Sequence, residues 1–170
     1  MKKQVKLYNV IFPIWILMFW PNPPVILLTL FGNLAIDALV LYLALRALKV
    51  PERGGVMKTA WWRVWLSGFL ADVIGAAWLA LGLFGAWALD EKGVSWVNDF
   101  AMAMTVNPFR HPLALVWTAI GVAIAGVCIY FLDRRALKKC GGLDDHQRHA
   151  AALVMAVVTA PWLFFIPMYI

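Results

Sequence analysis

The sequence predicts an all-α, polytopic membrane protein, a four-transmembrane-helix bundle preceded by a short helix. Of its 170 residues, 64% are hydrophobic and only 14% are charged, whereas soluble domains have about 45–50% apolar and about 25% charged residues. Four apolar stretches reach the roughly 20 residues that a helix needs to cross a bilayer. Basic residues gather between these stretches, where they act as topology signals. We therefore expect one integral membrane domain over residues 1–170.

The apolar stretches predict spans at about 25–46, 64–88, 113–132 and 150–169. Ahead of them, residues 7–20 (LYNVIFPIWILMFW) form an apolar run that is too short to span as a straight helix. The PNPP segment ends this run, because proline lacks an N–H group and restricts the residue before it. We expect residues 7–20 to form a short helix, either re-entrant or interfacial. A cleaved signal peptide is disfavoured because no A-x-A-like site follows.

The distribution of basic residues predicts the orientation. The connections 46–63 and 133–149 each carry five Lys or Arg residues, whereas the connection 89–112 carries two, against three acids. The positive-inside tendency places the first two connections and the N-terminus in the cytoplasm, and the third connection and the C-terminus outside. We expect the protein in the plasma (inner) membrane. The apolar residues of VSWVNDFAMAM (94–104) recur at helical spacing and predict a surface helix in the outer connection.

The formal net charge of +6 bears on partners. Because the charge lies beside predicted spans, it favours anionic lipid head groups at the cytoplasmic loops. No nucleic acid partner is expected. The other expected partners are the bilayer itself and either a second copy of the chain or a subunit of a membrane complex. Cys128 and Cys140 form no CxxC pair and are interpreted as reduced, inert thiols.

Small residues mark the predicted contacts between helices. Gly68, Gly75 and Gly82 recur every seven residues in the second span, and Gly121 lies among other small residues in the third. Such stripes let membrane helices approach closely, because water supplies no hydrophobic drive within the bilayer. We expect these glycines to pack within the bundle, with a self-association face as the alternative.

Two aspartates interrupt otherwise apolar spans. Asp37, in GNLAIDALVLYLALR (32–46), lies nine residues before Arg46, and Asp72 lies nine residues after Arg63. If both arginines mark the inner boundary, both carboxylates lie ~13 Å above it. Thr159 in the last span falls at nearly the same predicted depth, and Asn33 lies one turn from Asp37 on the same helix face. The predicted ion, proton or substrate site therefore comprises Asp37, Asp72, Asn33 and Thr159.

Apart from Arg46 at the end of the first span, no basic residue falls within a predicted span, so the acids have no obvious counterion. Such a pair would hold a proton, bind a cation or face a water-filled cavity, and intramembrane acids are functional candidates by default. The function that we predict is a transporter or channel-like protein for protons, cations or a small solute. Alternatively, the acids only join helices through hydrogen bonds. A separate alternative is a non-catalytic subunit or scaffold of a larger membrane complex, in which the glycine stripes are surfaces for partners.

The segment DDHQRH (144–149) has two interpretations. His146 and His149 lie three residues apart beside Asp145, a spacing that can ligate a metal. Acidic residues at this point also suit the start of a helix, and we favour that interpretation. The sequence has no phosphate loop, nucleophile elbow, haem ligand pair or zinc-ligand set. We therefore expect no cofactor, no metal site and no assigned catalytic residue.

An enzyme is the third alternative. The segments GNLAID (32–37) and FLADVIG (69–75) resemble the stretches around the two catalytic aspartates of signal peptidase II, a four-span lipoprotein signal peptidase. The resemblance implies an intramembrane aspartyl protease using Asp37 and Asp72. In that family, however, the acids lie late in the chain near the outer surface, and an Arg follows the first. Here they lie in the first two spans, and Ala38 follows Asp37.

Overall fold

The computed structural model describes residues 23–167; the predicted short helix at 7–20 lies outside the described residues. The described chain folds into five α-helices and two short 3-10 turns, and it contains no strand. The 3-10 turns are Pro108–Arg110 and Trp162–Phe165. The helices, in chain order, are α1 (Pro23–Ala47), α2 (Arg53–Asp90), α3 (Trp96–Val106), α4 (Pro112–Leu137) and α5 (Asp145–Val158).

Four segments are long and apolar enough to cross a membrane: α1, α2, α4 and the stretch Asp145–Phe165 that begins with α5. The all-helical, four-span prediction is confirmed to that extent. The predicted helix within 94–104 is also confirmed, as α3, which buries Val97, Phe100 and Ala101. The fold is thus a bundle of four long helices with one short helix packed on it.

The four long helices form a closed ring in which α1 packs on α2, α2 on α4, α4 on α5, and α5 on α1. We call the end that carries the connections 48–52 and 138–144 the basic end, and the end that carries residues 91–111 the far end. The short helix α3 packs on α2 and α4 at the far end. The basic-end half of the core is apolar and includes the fully buried Leu41, Leu45, Ile129 and Leu137. Burial in this core raises the pKa of the Cys140 thiol, against the opposing charge of Arg63.

Two predicted helix boundaries are wrong. Helix α2 begins at Arg53 and not near residue 64. Arg53, Lys58 and Arg63 lie in its first three turns, although their charge is typical of a connecting loop. Its 38 residues correspond to a length of ~57 Å, longer than a ~30 Å hydrocarbon core. In the last span α5 ends at Val158 and not at 169, because Pro161 cannot donate a helical hydrogen bond.

The start of α5 settles the interpretation of DDHQRH. Asp144 Oδ1 accepts a hydrogen bond from the backbone N–H of Gln147 at 2.7 Å, and Gln147 Oε1 accepts one from the backbone N–H of Asp144 at 3.1 Å. These reciprocal bonds form a capping box. The preferred interpretation of the segment as a helix start is therefore confirmed.

Candidate functional site: three buried carboxylates

Three aspartates from three different helices lie in the interior of the bundle. Asp37 of α1 is 5% exposed, Asp72 of α2 is 7% exposed, and Asp133 of α4 is fully buried. Among the described side chains, the only other buried polar residue is Thr118. The bundle thus concentrates its buried acids in one region, of which the sequence analysis predicted two members out of three.

Asp37 lies against the backbone of α2. A Cβ atom on Gly68 would lie 3.0 Å from Asp37 Oδ2, so the absence of a side chain at Gly68 leaves room for this carboxylate. On the same face of α1, one and two turns on, Leu41 and Leu45 are fully buried in the apolar core. The helical period of α1 therefore directs Asp37 inward along with these leucines.

Asp72 lies one helical turn beyond Gly68 on α2. Its Oδ2 atom accepts a hydrogen bond from Asn33 Nδ2 at 3.4 Å, and its Oδ1 atom is buried without a hydrogen-bond partner. Asn33 precedes Asp37 by one turn, so Asp37 lies at the level of Gly68 and Asp72 about one turn, or ~6 Å, closer to the far end. The two acids are therefore offset by about one turn along the bundle and do not lie at one level, which means that Arg46 and Arg63 are not level with each other either.

Asp133 lies between Ile129 and Leu137 on the buried face of α4, one turn from each, and all three are at most 1% exposed. Neither of its carboxylate oxygens has a hydrogen-bond partner, although Ser67 of α2 is close enough to interact with it. The sequence analysis missed this residue. A signal existed, because Asp133 continues a stripe of four-residue steps through Ala125 and Ile129.

Asp37 is the middle member of the three. Its charge interacts with that of Asp72 and with that of Asp133. In the described part of the chain, the ion pairs are those of Arg134 and Arg148 with Asp145, and none involves a buried acid. We call Asp133, Asp37 and Asp72, in order from the basic end, the carboxylate column. Like charges at this spacing, without a counterion, would be costly to hold in an apolar interior.

Thr159, the fourth predicted site residue, has a different role in the structure. It caps α5, and its hydroxyl donates a hydrogen bond to the Met155 carbonyl oxygen of its own helix at 2.8 Å. No hydrogen bond within the described residues joins Thr159 to the carboxylate column. The structure therefore brings together Asn33, Asp37 and Asp72 from the predicted set, with Asp133 in addition.

The far-end half of the bundle interior contains a tryptophan pair. Trp78 of α2 and Trp117 of α4 stack with ring centroids 4.4 Å apart. Each indole Nε1 donates a hydrogen bond to the backbone oxygen of the other tryptophan at 3.1 Å. A Cβ atom on Gly82 would lie 2.5 Å from Trp117 Nε1, and one on Gly121 would lie 3.1 Å from Trp78 Cδ1. The sequence Trp-x-x-x-Gly thus occurs on both helices, and each tryptophan packs over the other helix's glycine.

Gly75 lies between the tryptophan pair and the carboxylate column. A Cβ atom there would lie 3.2 Å from the Ala125 Cβ atom and 3.2 Å from the Phe164 ring. Phe164 belongs to the 3-10 turn after α5 and is buried with Leu79 and Val122 in an apolar cluster. Close apolar packing around Gly75 and Phe164 therefore lies between the column and the far end.

Carboxyl groups that lack a counterion can hold protons, pass them to one another or ligate a cation. Within the described residues, no group of three His, Cys, Asp or Glu side chains is arranged to hold a metal ion. Comparison of the chain with known protein families, curated proteins and solved structures gives no match. The function is therefore inferred from the positions and surroundings of the three buried carboxyl groups.

Proposed function

We propose that the protein is an integral membrane transporter that moves protons by way of the carboxylate column. The observation that carries the proposal is the burial of Asp37, Asp72 and Asp133 in one region without a basic partner. Intramembrane acids without a structural counterion commonly mark proton relays or ion pathways.

The surface of the bundle supports the membrane part of this proposal. Large apolar side chains on the long helices face outward, among them Phe31 at 64%, Leu81 at 65% and Phe131 at 62% exposure. Soluble monomers rarely expose continuous apolar surface of this kind. We place the helices in a bilayer with the basic end in the cytoplasm, following the distribution of Lys and Arg.

The chemistry of the column favours protons over metal cations. A proton neutralises one carboxylate outright, whereas Ca²⁺ takes six to eight oxygen ligands and Mg²⁺ requires near-octahedral geometry. The neutral side chains next to the column are Asn33, which is hydrogen-bonded to Asp72, and Ser67, which is close enough to interact with Asp133. The carboxyl groups of the column lie at successive levels along the bundle, and no three His, Cys, Asp or Glu side chains among the described residues are arranged around one cation. The column therefore suits proton exchange better than the binding of a hard cation.

The interruption of the last span suggests how the column could reach the far end. The chain bends after α5 at Thr159 and Ala160, and the following 3-10 turn places Phe164 against Gly75. Broken helices beside a central site are a recurrent feature of membrane transporters. In our proposal the structure is an occluded state, and displacement of this turn opens the column toward the far end.

A second candidate is a structural role, in which the protein is a subunit of a membrane complex and the acids only join helices. The hydrogen bond from Asn33 to Asp72 favours it, since polar bonds of this type hold membrane helices together. It does not account for the burial of a third acid, Asp133, which has no ion-pair partner among the described residues.

The experiment is proton flux into proteoliposomes that contain a pH-sensitive dye, driven by a potassium diffusion potential. Asp37→Asn keeps the shape and hydrogen-bonding capacity of the side chain but removes its titratable proton, so we expect it to abolish flux. The matched control is Asp99→Asn, which changes an exposed acid on α3 and should retain wild-type flux. Equal flux in wild type and Asp37→Asn, with both proteins folded by size-exclusion chromatography, would favour the structural role.

A further inference from the structure

A polar cluster at the basic end joins α4 to α5. The Tyr130 hydroxyl and His149 Nδ1 are hydrogen-bonded at 2.7 Å, and Arg134 Nη1 donates to the same hydroxyl at 3.4 Å. Arg134 Nη2 and Arg148 Nη2 lie 3.3 and 3.4 Å from the two carboxylate oxygens of Asp145. We call these five residues the basic-end cluster.

The charges of the basic-end cluster are unbalanced. Two guanidinium groups share a single carboxylate, so the cluster keeps a net positive charge even with His149 neutral. The side chain of Asp145 is 65% exposed, and those of Arg134 and Arg148 are 35% and 22% exposed. The Asp145 contacts are also long for charge-assisted hydrogen bonds, which are typically about 2.7–2.9 Å. An external anion can therefore reach both guanidinium groups and compete with a weakly held carboxylate.

An exposed apolar strip starts at the cluster and runs toward the far end. Phe131, beside Tyr130 with ring centroids 5.1 Å apart, and Val127 one turn earlier are both more than half exposed on α4. On α5, Leu153 lies one turn after His149, and Val157 one turn further; they are 48% and 57% exposed. A ligand that fits both features has an anionic head and an apolar chain.

We propose that the basic-end cluster is a binding site for the phosphate head group of an anionic phospholipid, whose acyl chain lies along the apolar strip. Guanidinium groups recognise phosphate through paired, charge-assisted hydrogen bonds. Basic pockets between membrane helices on the cytoplasmic side bind anionic lipid head groups. Free phosphate has the same head chemistry but nothing to occupy the strip. The inference does not depend on proton transport.

The proposal predicts that removal of the negative charge of Asp145 strengthens lipid binding. Because its carboxylate engages both guanidinium groups, it competes with the phosphate for them. Asp145→Asn removes the competing charge and should tighten lipid binding severalfold. The matched control is Asp144→Asn, which makes the same charge change one residue away and retains a good N-cap residue. It should change lipid affinity much less.

The experiment is native mass spectrometry of the full chain in detergent, titrated with phosphatidylglycerol or with phosphatidylcholine of identical acyl chains. We expect preferential retention of phosphatidylglycerol, and Arg134→Ala should weaken it by roughly tenfold, as for loss of a charged hydrogen-bond donor. Arg135→Ala removes an exposed charge next to the cluster and should have little effect. Inorganic phosphate at millimolar concentration should not displace the lipid.

Equal retention of the two lipids, or equal losses in Arg134→Ala and Arg135→Ala, would overturn the proposal in favour of general charge attraction. Displacement by inorganic phosphate would show that the strip contributes nothing and that the site takes free phosphate. An Asp145→Asn variant that binds phosphatidylglycerol no more tightly than Asp144→Asn would show that the cluster only joins α4 to α5.

Discussion

The tryptophan pair in the far-end half of the bundle and the carboxylate column in the basic-end half differ in how their buried polar groups are paired. In the far-end half, the indole N–H groups of Trp78 and Trp117 are each paired with a carbonyl oxygen at 3.1 Å. In the basic-end half, Asp133 is buried with both oxygens lacking a hydrogen-bond partner, and Asp72 has one such oxygen. Helix α2 contributes Trp78 to the tryptophan pair and Asp72 to the carboxylate column. A single helix therefore contains both a fully paired and an incompletely paired buried polar group.

The difference in hydrogen bonding suggests different roles for the tryptophan pair and the carboxylate column. Fully paired polar groups rigidify a protein interior, whereas buried groups without partners are costly and call for an explanation. We therefore interpret the tryptophan pair as the element that fixes α2 against α4, and the carboxylate column as the element retained for its chemistry. Substitutions in the first region should cost stability, and substitutions in the second should cost function.

The largest expected loss of stability is for Gly82→Ala. The new Cβ atom would lie 2.5 Å from Trp117 Nε1 and 2.8 Å from Trp117 Cε2, so the indole must shift, which weakens its stacking on Trp78 and its hydrogen bond to the Trp78 oxygen. We expect a loss of about 2 kcal/mol in the free energy of unfolding, as for other overpacked cores. Chemical denaturation in detergent, followed by tryptophan fluorescence, measures it.

The control for this substitution is Gly85→Ala, since no atom lies within 4 Å of a Cβ atom at that position. It should unfold at the wild-type denaturant concentration, or slightly above it because alanine favours helix. If Gly82→Ala and Gly85→Ala proved equally stable, the close packing of Trp117 on α2 would be wrong.

A smaller effect is expected for Trp117→Phe. Phenylalanine retains an aromatic ring but loses the N–H group that donates to the Trp78 oxygen, which should cost about 1 kcal/mol. Trp78→Phe should cost a similar amount, because the pair is reciprocal. Each donor bonds to a backbone oxygen that the other substitution leaves in place, so the two losses should be close to additive in the double variant. A variant as stable as the wild type would show that the corresponding hydrogen bond contributes nothing.

The helices could be predicted from the sequence because length and apolar composition determine them almost alone. Their ends were harder to predict. Lys58 and Arg63 look like loop charges in isolation, yet they lie in the first turns of α2. The end of α5 was signalled by Pro161, but the apolar run continues through it to Phe165. In both cases the average composition of a stretch of sequence does not show the residue at which the helix begins or ends.

The site was predicted in part, for a related reason. Asp37 and Asp72 stand out because apolar residues surround them, whereas Asp133 is followed by Arg134 and Arg135 and looks like the start of a basic connection. Only the packing of α4 shows that Asp133 faces inward while Arg134 turns toward Asp145. Thr159 was chosen by depth alone, and depth does not reveal that its hydroxyl bonds to its own helix.

We infer that the carboxylate column holds exchangeable protons and that the tryptophan pair does not take part in proton exchange. Infrared spectroscopy measures this directly, because a protonated carboxyl group has a carbonyl stretching band that shifts on exchange into D₂O. We predict such a band in the wild-type protein at neutral pH, reduced in Asp133→Asn and in Asp37→Asn, and unchanged in Trp117→Phe. A wild-type spectrum without the band, or a band that survives all of these aspartate substitutions, would contradict the claim.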